Sequence, residues 1–149
     1  MSSLYNVSEV KLTCELNNTN KKKVKVSTSA KAYALMLQTW EQIEYRETFK
    51  ILLLDVSKNV LGINTVSMGG ISGTTVDVRM ILQSALLANA SLIVACHNHP
   101  SGSIKPSYED DVVTMSIREA AQIIDIKLID HLIITKDGYY SYKDAGRII

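Results

Sequence analysis

The sequence predicts a mixed α/β domain, with a central sheet of antiparallel and parallel strand pairs flanked by helices. Three observations predict it. Ser91-Leu92-Ile93-Val94-Ala95-Cys96 is a short, almost continuous apolar run, the pattern of a central strand covered on both faces. From Ser107 onward, Val113, Ile117, Ala120, Ala121 and Ile124 recur at helical spacing and mark a buried stripe. Residues 48–55 and 59–68 read as two strands joined near Ser57-Lys58-Asn59 as a hairpin. With 149 residues, 46% of them hydrophobic and 21% charged, the chain suits one compact domain with a sizeable core.

The elements follow in order. Residues 9–16 alternate as a strand does, Asn17-Asn18-Thr19-Asn20 and Lys21-Lys22-Lys23 interrupt, and residues 24–27 offer a second short strand. Residues 1–27 are therefore expected to form an N-terminal strand pair or arm, ahead of a domain over 28–149. The lysine cluster reads as a solvated loop rather than a phosphate contact. Ser27-Thr28-Ser29 caps a helix running to about Trp40, with Ala32, Leu35, Met36 and Trp40 as its apolar stripe. After the hairpin, Gly69, Gly70 and Gly73 make a turn; no G-K-[ST] follows, so the phosphate-loop reading fails. A helix over 76–89 precedes the central strand, and the helix beginning at Ser107 follows it. Strands near 127–135 and 139–142 surround Lys136-Asp137-Gly138, which has good hairpin chemistry. There is no internal repeat.

Composition narrows the function classes. A formal net charge of +1 supplies no global field favouring nucleic acid. No apolar run approaches the ~20 residues of a membrane span, and the N-terminus lacks the basic-then-apolar pattern of a signal peptide. Two distant cysteines, Cys14 and Cys96, read as reduced buried thiols in a cytoplasmic protein. Cys96 adjoins His97 but ends an apolar strand, so it reads as a packed thiol rather than a nucleophile or fourth ligand.

The chemistry is concentrated in Cys96-His-Asn-His-Pro-Ser-Gly-Ser-Ile-Lys-Pro-Ser-Tyr-Glu-Asp-Asp111. His97 and His99 are one residue apart, a spacing that sends both side chains to the same side of an extended backbone. Ser107-x-x-Asp110 reads as a helix N-cap followed by an acid in the first turn. At about 100° per residue, Asp110 lies nearly two turns before Ile117 and shares its buried face, while Asp111 turns toward solvent. A carboxylate aimed at the core requires a cation, strong donors or a metal. Two imidazoles and a carboxylate supply three zinc ligands and leave a fourth position open, as in catalytic zinc sites. Glu47 enters the first strand in alternation with Phe49, Ile51 and Leu53, whereas Glu41 and Glu44 read as exposed acids. From the residues alone, Glu47 stays open between an exposed acid and a site carboxylate. His131, after Asp130 and before Leu132-Ile133-Ile134, reads as a buried histidine oriented by hydrogen bonds, not a ligand.

His97-x-His99, seven residues, then Ser107-x-x-Asp110 resembles the JAMM signature of the MPN-domain metalloproteases. The wider run resembles the bacterial RadC family in particular, as do Arg46-Glu47-Thr48-Phe49 leading into Leu52-Leu53-Leu54-Asp55, the Gly73-Thr74 turn, Val78-Arg79, and Leu128-Ile129-Asp130-His131. The similarity covers about residues 28–149. It implies an MPN/JAB (cytidine-deaminase-like) architecture and one zinc per chain held by His97, His99 and Asp110. It also implies Glu47 as general acid/base on the activated water and Ser107 as the hydroxyl stabilising the oxyanion. Longer RadC-type proteins carry an N-terminal helix-hairpin-helix-like region, and residues 1–27 are too short and too polar to supply it. Insertions of the kind that grip ubiquitin in eukaryotic relatives are also not seen.

The expected function is a zinc-dependent metallopeptidase acting on peptide or isopeptide bonds of an undetermined protein or peptide substrate. The family is associated with DNA repair. The alternative is a nucleic-acid- or protein-binding module with little hydrolase activity. A metal-dependent nuclease is a third reading, against which two histidines and one carboxylate lack a two-metal arrangement.

Overall fold

The structure is a computed structural model describing residues 7–11, 13–15, 22–69 and 75–148. Five strands, β1 (Thr48–Leu54), β2 (Val60–Met68), β3 (Leu92–Asn98), β4 (Lys127–Ile134) and β5 (Tyr139–Ser141), form one sheet in the order β2-β1-β3-β4-β5. Three helices flank it: α1 (Ser29–Gln38), α2 (Val78–Leu87) and α3 (Tyr108–Ile123). β1 pairs antiparallel with β2 and β3, β3 pairs parallel with β4, and β4 pairs antiparallel with β5. The mixed α/β expectation holds.

The sheet separates two apolar layers. Phe49, Ile51, Leu53, Ile93 and Ala95 face Ile81 and Ala85 of α2 and Ile117 and Ala121 of α3. Leu52, Leu54, Val94, Cys96, Leu132 and Ile134 face Ala32 and Met36 of α1. Every residue of β1 is buried, and so are the last six of β3, as befits strands covered on both sides. Cys96 is fully buried on the α1 side, where burial pushes its thiol well above the ordinary range, so it is packing and not a nucleophile, whereas Cys14 is exposed rather than buried.

Several boundaries differ from the sequence reading for local reasons. The described part of 9–16 has no regular structure. Residues 24–27 reduce to one bridge, Lys25 with Asn59, flanked by bonds from Val60 N–H to the Val24 carbonyl and from Val26 N–H to the Lys58 carbonyl. Leu12, Leu16, residues 17–21 and the Gly70-to-Thr74 turn lie outside the described residues. α1 stops at Gln38 because Thr39 turns its hydroxyl back onto the Met36 carbonyl. α2 starts at Val78 because the Asp77 carboxylate caps Arg79 N–H, and it ends before Asn89, whose φ is 54°. β3 runs two residues beyond Cys96, taking His97 and Asn98 into the sheet. Ile124 is exposed rather than buried, because the chain leaves the helix at Asp125 (φ 57°) and Ile126 takes the core position.

Candidate metal centre

The site sits where the central strand stops and the loop to α3 begins. His97 lies on β3 and is 1% exposed; His99 follows just past the strand end. The loop turns at Gly102, whose φ of 82° suits glycine, and brings the Ser103 carbonyl 2.8 Å from His99 Nδ1. A carbonyl only accepts, so His99 carries its proton on Nδ1 and presents an Nε2 lone pair.

Asp110 arrives from α3. Ser107 is its N-cap: the Ser107 hydroxyl accepts from Asp110 N–H at 3.1 Å, and Ser107 N–H donates to Asp110 Oδ2 at 2.7 Å. This reciprocal capping box satisfies two N-terminal donors and fixes the carboxylate. Asp110 is 8% exposed and faces inward, as the helical register predicts. Asp111 is not simply solvated: it accepts from the Tyr142 hydroxyl at 2.7 Å and from Arg147 at 2.6 Å. Sequence periodicity held no signal for either partner.

The three groups converge. His97 Nε2 lies 3.0 Å from His99 Nε2 and 3.0 Å from Asp110 Oδ1, and His99 Nε2 lies 3.3 Å from Asp110 Oδ2. Ligands about 2.0–2.1 Å from a tetrahedral ion stand roughly 3.3 Å apart, so this spacing fits a single metal ion. No other group of metal-ligating side chains gathers this way among the described residues. Burial would raise the Asp110 pKa, but the His97 and His99 imidazoles facing its carboxylate, with the Ser107 N–H, outweigh it and hold the carboxyl well below the ordinary range. His99 moves up, chiefly through its hydrogen bond to Asp110, with burial opposing. A proton between His99 and Asp110 therefore competes for the position a cation would take.

Glu47 immediately precedes β1 and is half-buried. It lines a cleft of about 870 Å³ with His97, His99, Ser107 and Asp110, closed on its apolar side by Phe49, Val76 and Val113. Its charge adds to the upward shift of His99. Glu41 and Glu44 are exposed and do not line this cleft. The structure thus brings all five expected site residues together.

Two positions escaped sequence reasoning. Asn98, fully buried between the two histidines, points away from them and grips the segment before β1. Its Nδ2 donates to the Ile43 carbonyl at 2.7 Å and the Arg46 carbonyl at 2.9 Å, and its Oδ1 accepts from Thr48 N–H at 2.7 Å. Glu47 lies between the gripped residues, and its carbonyl accepts from Gly69 N–H at 2.8 Å. Thr114, fully buried one turn after Asp110, meets His131, which is also fully buried. Burial drives the His131 pKa well below the imidazole range, with the neighbouring His97 adding to the shift, so its ring is neutral.

Comparison with known proteins matches residues 26–147 to the RadC-like JAB domain. A UPF0758 protein of Flavobacterium johnsoniae is 40% identical over 122 residues, covering 82% of this chain and 53% of that protein. A UPF0758 protein of Thermotoga maritima is 36% identical over 124 residues, covering 83% and 55%. UPF0758 protein PM1152 of Pasteurella multocida is 35% identical over 144 residues, covering 97% and 59%. The chain spans somewhat over half the length of these curated relatives.

Proposed function

The chain belongs to the RadC-like JAB domain family, and we propose that it is a zinc-dependent metallohydrolase of peptide or isopeptide bonds. The observation carrying this reading is the convergence of His97 Nε2, His99 Nε2 and the Asp110 carboxylate within 3.0–3.3 Å at a cleft lined by a further carboxylate and hydroxyl. Two neutral imidazoles and one carboxylate match the donor set of catalytic zinc sites. A bound zinc ion supplies Lewis acidity and an acidified water at neutral pH. Glu47 is the general base and acid, taking a proton from the attacking water and returning it to the leaving amine. Ser107 accepts from Asp110 N–H, which leaves its own hydroxyl proton to donate to a developing oxyanion. Phe49, Val76 and Val113 exclude water from one wall of the cleft and accept apolar side chains of the substrate.

Glu47→Gln tests this assignment on quenched-fluorescent peptides and isopeptide-linked substrates. The variant is expected to keep zinc and lose turnover; undiminished hydrolysis contradicts the role.

A second reading, nucleic-acid binding with a place in DNA repair, draws on one observation. A concavity of about 420 Å³ has an apolar floor of Ile126, Leu128, Ile129 and Ile148 and is edged by Lys58, Arg118, Lys127 and Lys143. The three lysines make no ion pair among the described residues. Salt-dependent binding of an oligonucleotide, lost on joint Lys58→Glu, Lys127→Glu and Lys143→Glu substitution and kept in His97→Ala, favours it. Absence of oligonucleotide binding by the unaltered protein removes it.

A further inference from the structure

We infer that Thr114 and His131 form a hydrogen-bond relay that fixes His97 in the Nδ1–H tautomer, turning its Nε2 lone pair toward His99 and Asp110. They are positioning residues for a metal ligand, and the inference rests on the metal-site reading above.

The relay has three links and one allowed direction. The Thr114 hydroxyl lies 2.6 Å from the Asp110 carbonyl oxygen. That oxygen can only accept, so the single hydroxyl proton of Thr114 is committed there, the usual back-bond of a helical threonine. The Thr114 oxygen is also in hydrogen-bond contact with His131 Nδ1. With its proton already placed, the oxygen accepts here, and Nδ1 of His131 is the donor. His131 is fully buried between the Phe49 and Tyr142 rings, with no carboxylate of the described residues hydrogen-bonded to its own ring. With its proton on Nδ1 it therefore keeps a lone pair on Nε2, which lies 2.8 Å from His97 Nδ1. His97 therefore donates from Nδ1, and its Nε2 is the nitrogen left for a metal. The opposite direction would set two bare oxygens, of Thr114 and Asp110, 2.6 Å apart.

Packing keeps the relay in place. Thr114 and His131 are 2% and 0% exposed, so water does not substitute for either partner. The His131 ring stacks on Tyr142 at 5.2 Å with 12° between planes and meets Phe49 edge-on at 5.5 Å. Asp110 acts at both ends: its carbonyl sets the direction of the relay, and its carboxylate stands among the ligands the relay serves. Partners that orient a ligand histidine typically alter metal affinity by 10–100-fold.

Zinc titration against a competing chelator tests this in the unaltered protein and in Thr114→Val, Thr114→Ser and His131→Phe, with circular dichroism to verify folding. Thr114→Val keeps the volume and removes the hydroxyl; it is expected to weaken zinc roughly tenfold, and His131→Phe up to about 100-fold. Thr114→Ser is expected to bind like the unaltered protein. A role in packing alone predicts the reverse order for the two threonine variants, and equal affinity in Thr114→Val overturns the relay. Imidazole ¹⁵N NMR supplies a readout that does not require zinc. A proton on His97 Nδ1 is expected with and without added zinc, and a bare Nδ1 with a protonated Nε2 overturns the inference. Failure of the unaltered protein to bind zinc would defeat the metal-site reading, while the NMR result would still decide the relay.

Discussion

Replacing Asn98 by alanine should loosen the segment that carries Glu47 without touching any residue of the triad. Three hydrogen bonds of 2.7, 2.9 and 2.7 Å disappear. Thr48 is 5% exposed, so its N–H is left buried without that acceptor, at about 1–3 kcal/mol. The Ile43 and Arg46 carbonyls lie in a more exposed segment where water can replace the amide, at roughly 0.5–1.5 kcal/mol each. The sum is roughly 2–6 kcal/mol, or about 6–19 °C in Tm for a domain of this size. Urea unfolding should show a lower midpoint at unchanged slope. Asn98→Asp keeps an acceptor for Thr48 but turns a carboxylate toward two carbonyls, and is expected to destabilise at least as much. The Asn98→Ala protein that remains folded should bind zinc normally while losing turnover, because only Glu47 is displaced. A stability change below about 0.5 kcal/mol, the level of an ordinary surface substitution, would refute the grip assigned to Asn98.

Further outcomes follow from the same geometry. Zinc affinity should rise with pH through a midpoint above about 6.5, the ordinary imidazole value. The reason is that the hydrogen bond to Asp110 keeps a proton on His99 to higher pH, and that proton competes with the metal. Asp110, held well below the carboxylate range, stays ionised and adds no slope; affinity independent of pH between 6 and 8 would contradict this. Asp110→Asn should retain the capping box through the amide oxygen and lose at most about 1 kcal/mol of stability, yet lose zinc. Zinc retention there, measured by metal analysis, would remove Asp110 from the ligand set. Ile117→Ala, at a fully buried position beneath α3, should cost about 2–5 kcal/mol in urea unfolding. A loss under 1 kcal/mol would mean that α3 is held by other contacts.

The parts of the fold visible in the sequence were those written in local periodicity. The spacing of His97 and His99, the Ser107 cap and the seven-residue step from Asp110 to Ile117 are short-range features, and the site built on them is where they place it. The apolar run before the histidines identified the central strand. The apolar run stops at Cys96, and nothing local shows that β1 and β4 both pair with His97 and that β4 pairs with Asn98. The Asn98 grip spans about fifty residues of sequence, and the Asp111 contacts reach Tyr142 and Arg147 some thirty residues on. Such partners leave no periodic trace. Thr114 was passed over because a lone threonine on a helix is ordinarily just a helix residue; only its neighbour His131 gives it a role. Alternation alone supplies no strand partner: the described residues of 9–16 have no regular structure, and Lys25 makes a single bridge.

The most direct test of the central claim is the metal content of protein purified without added metal, with His97→Ala and Asp110→Ala alongside. The expected result is about one zinc per chain in the unaltered protein and none in either variant, as for a three-ligand site in which each ligand is required. No zinc in the unaltered protein, together with no uptake on titration, would contradict the account and leave the triad as a hydrogen-bonded cluster in the wall of a binding cleft.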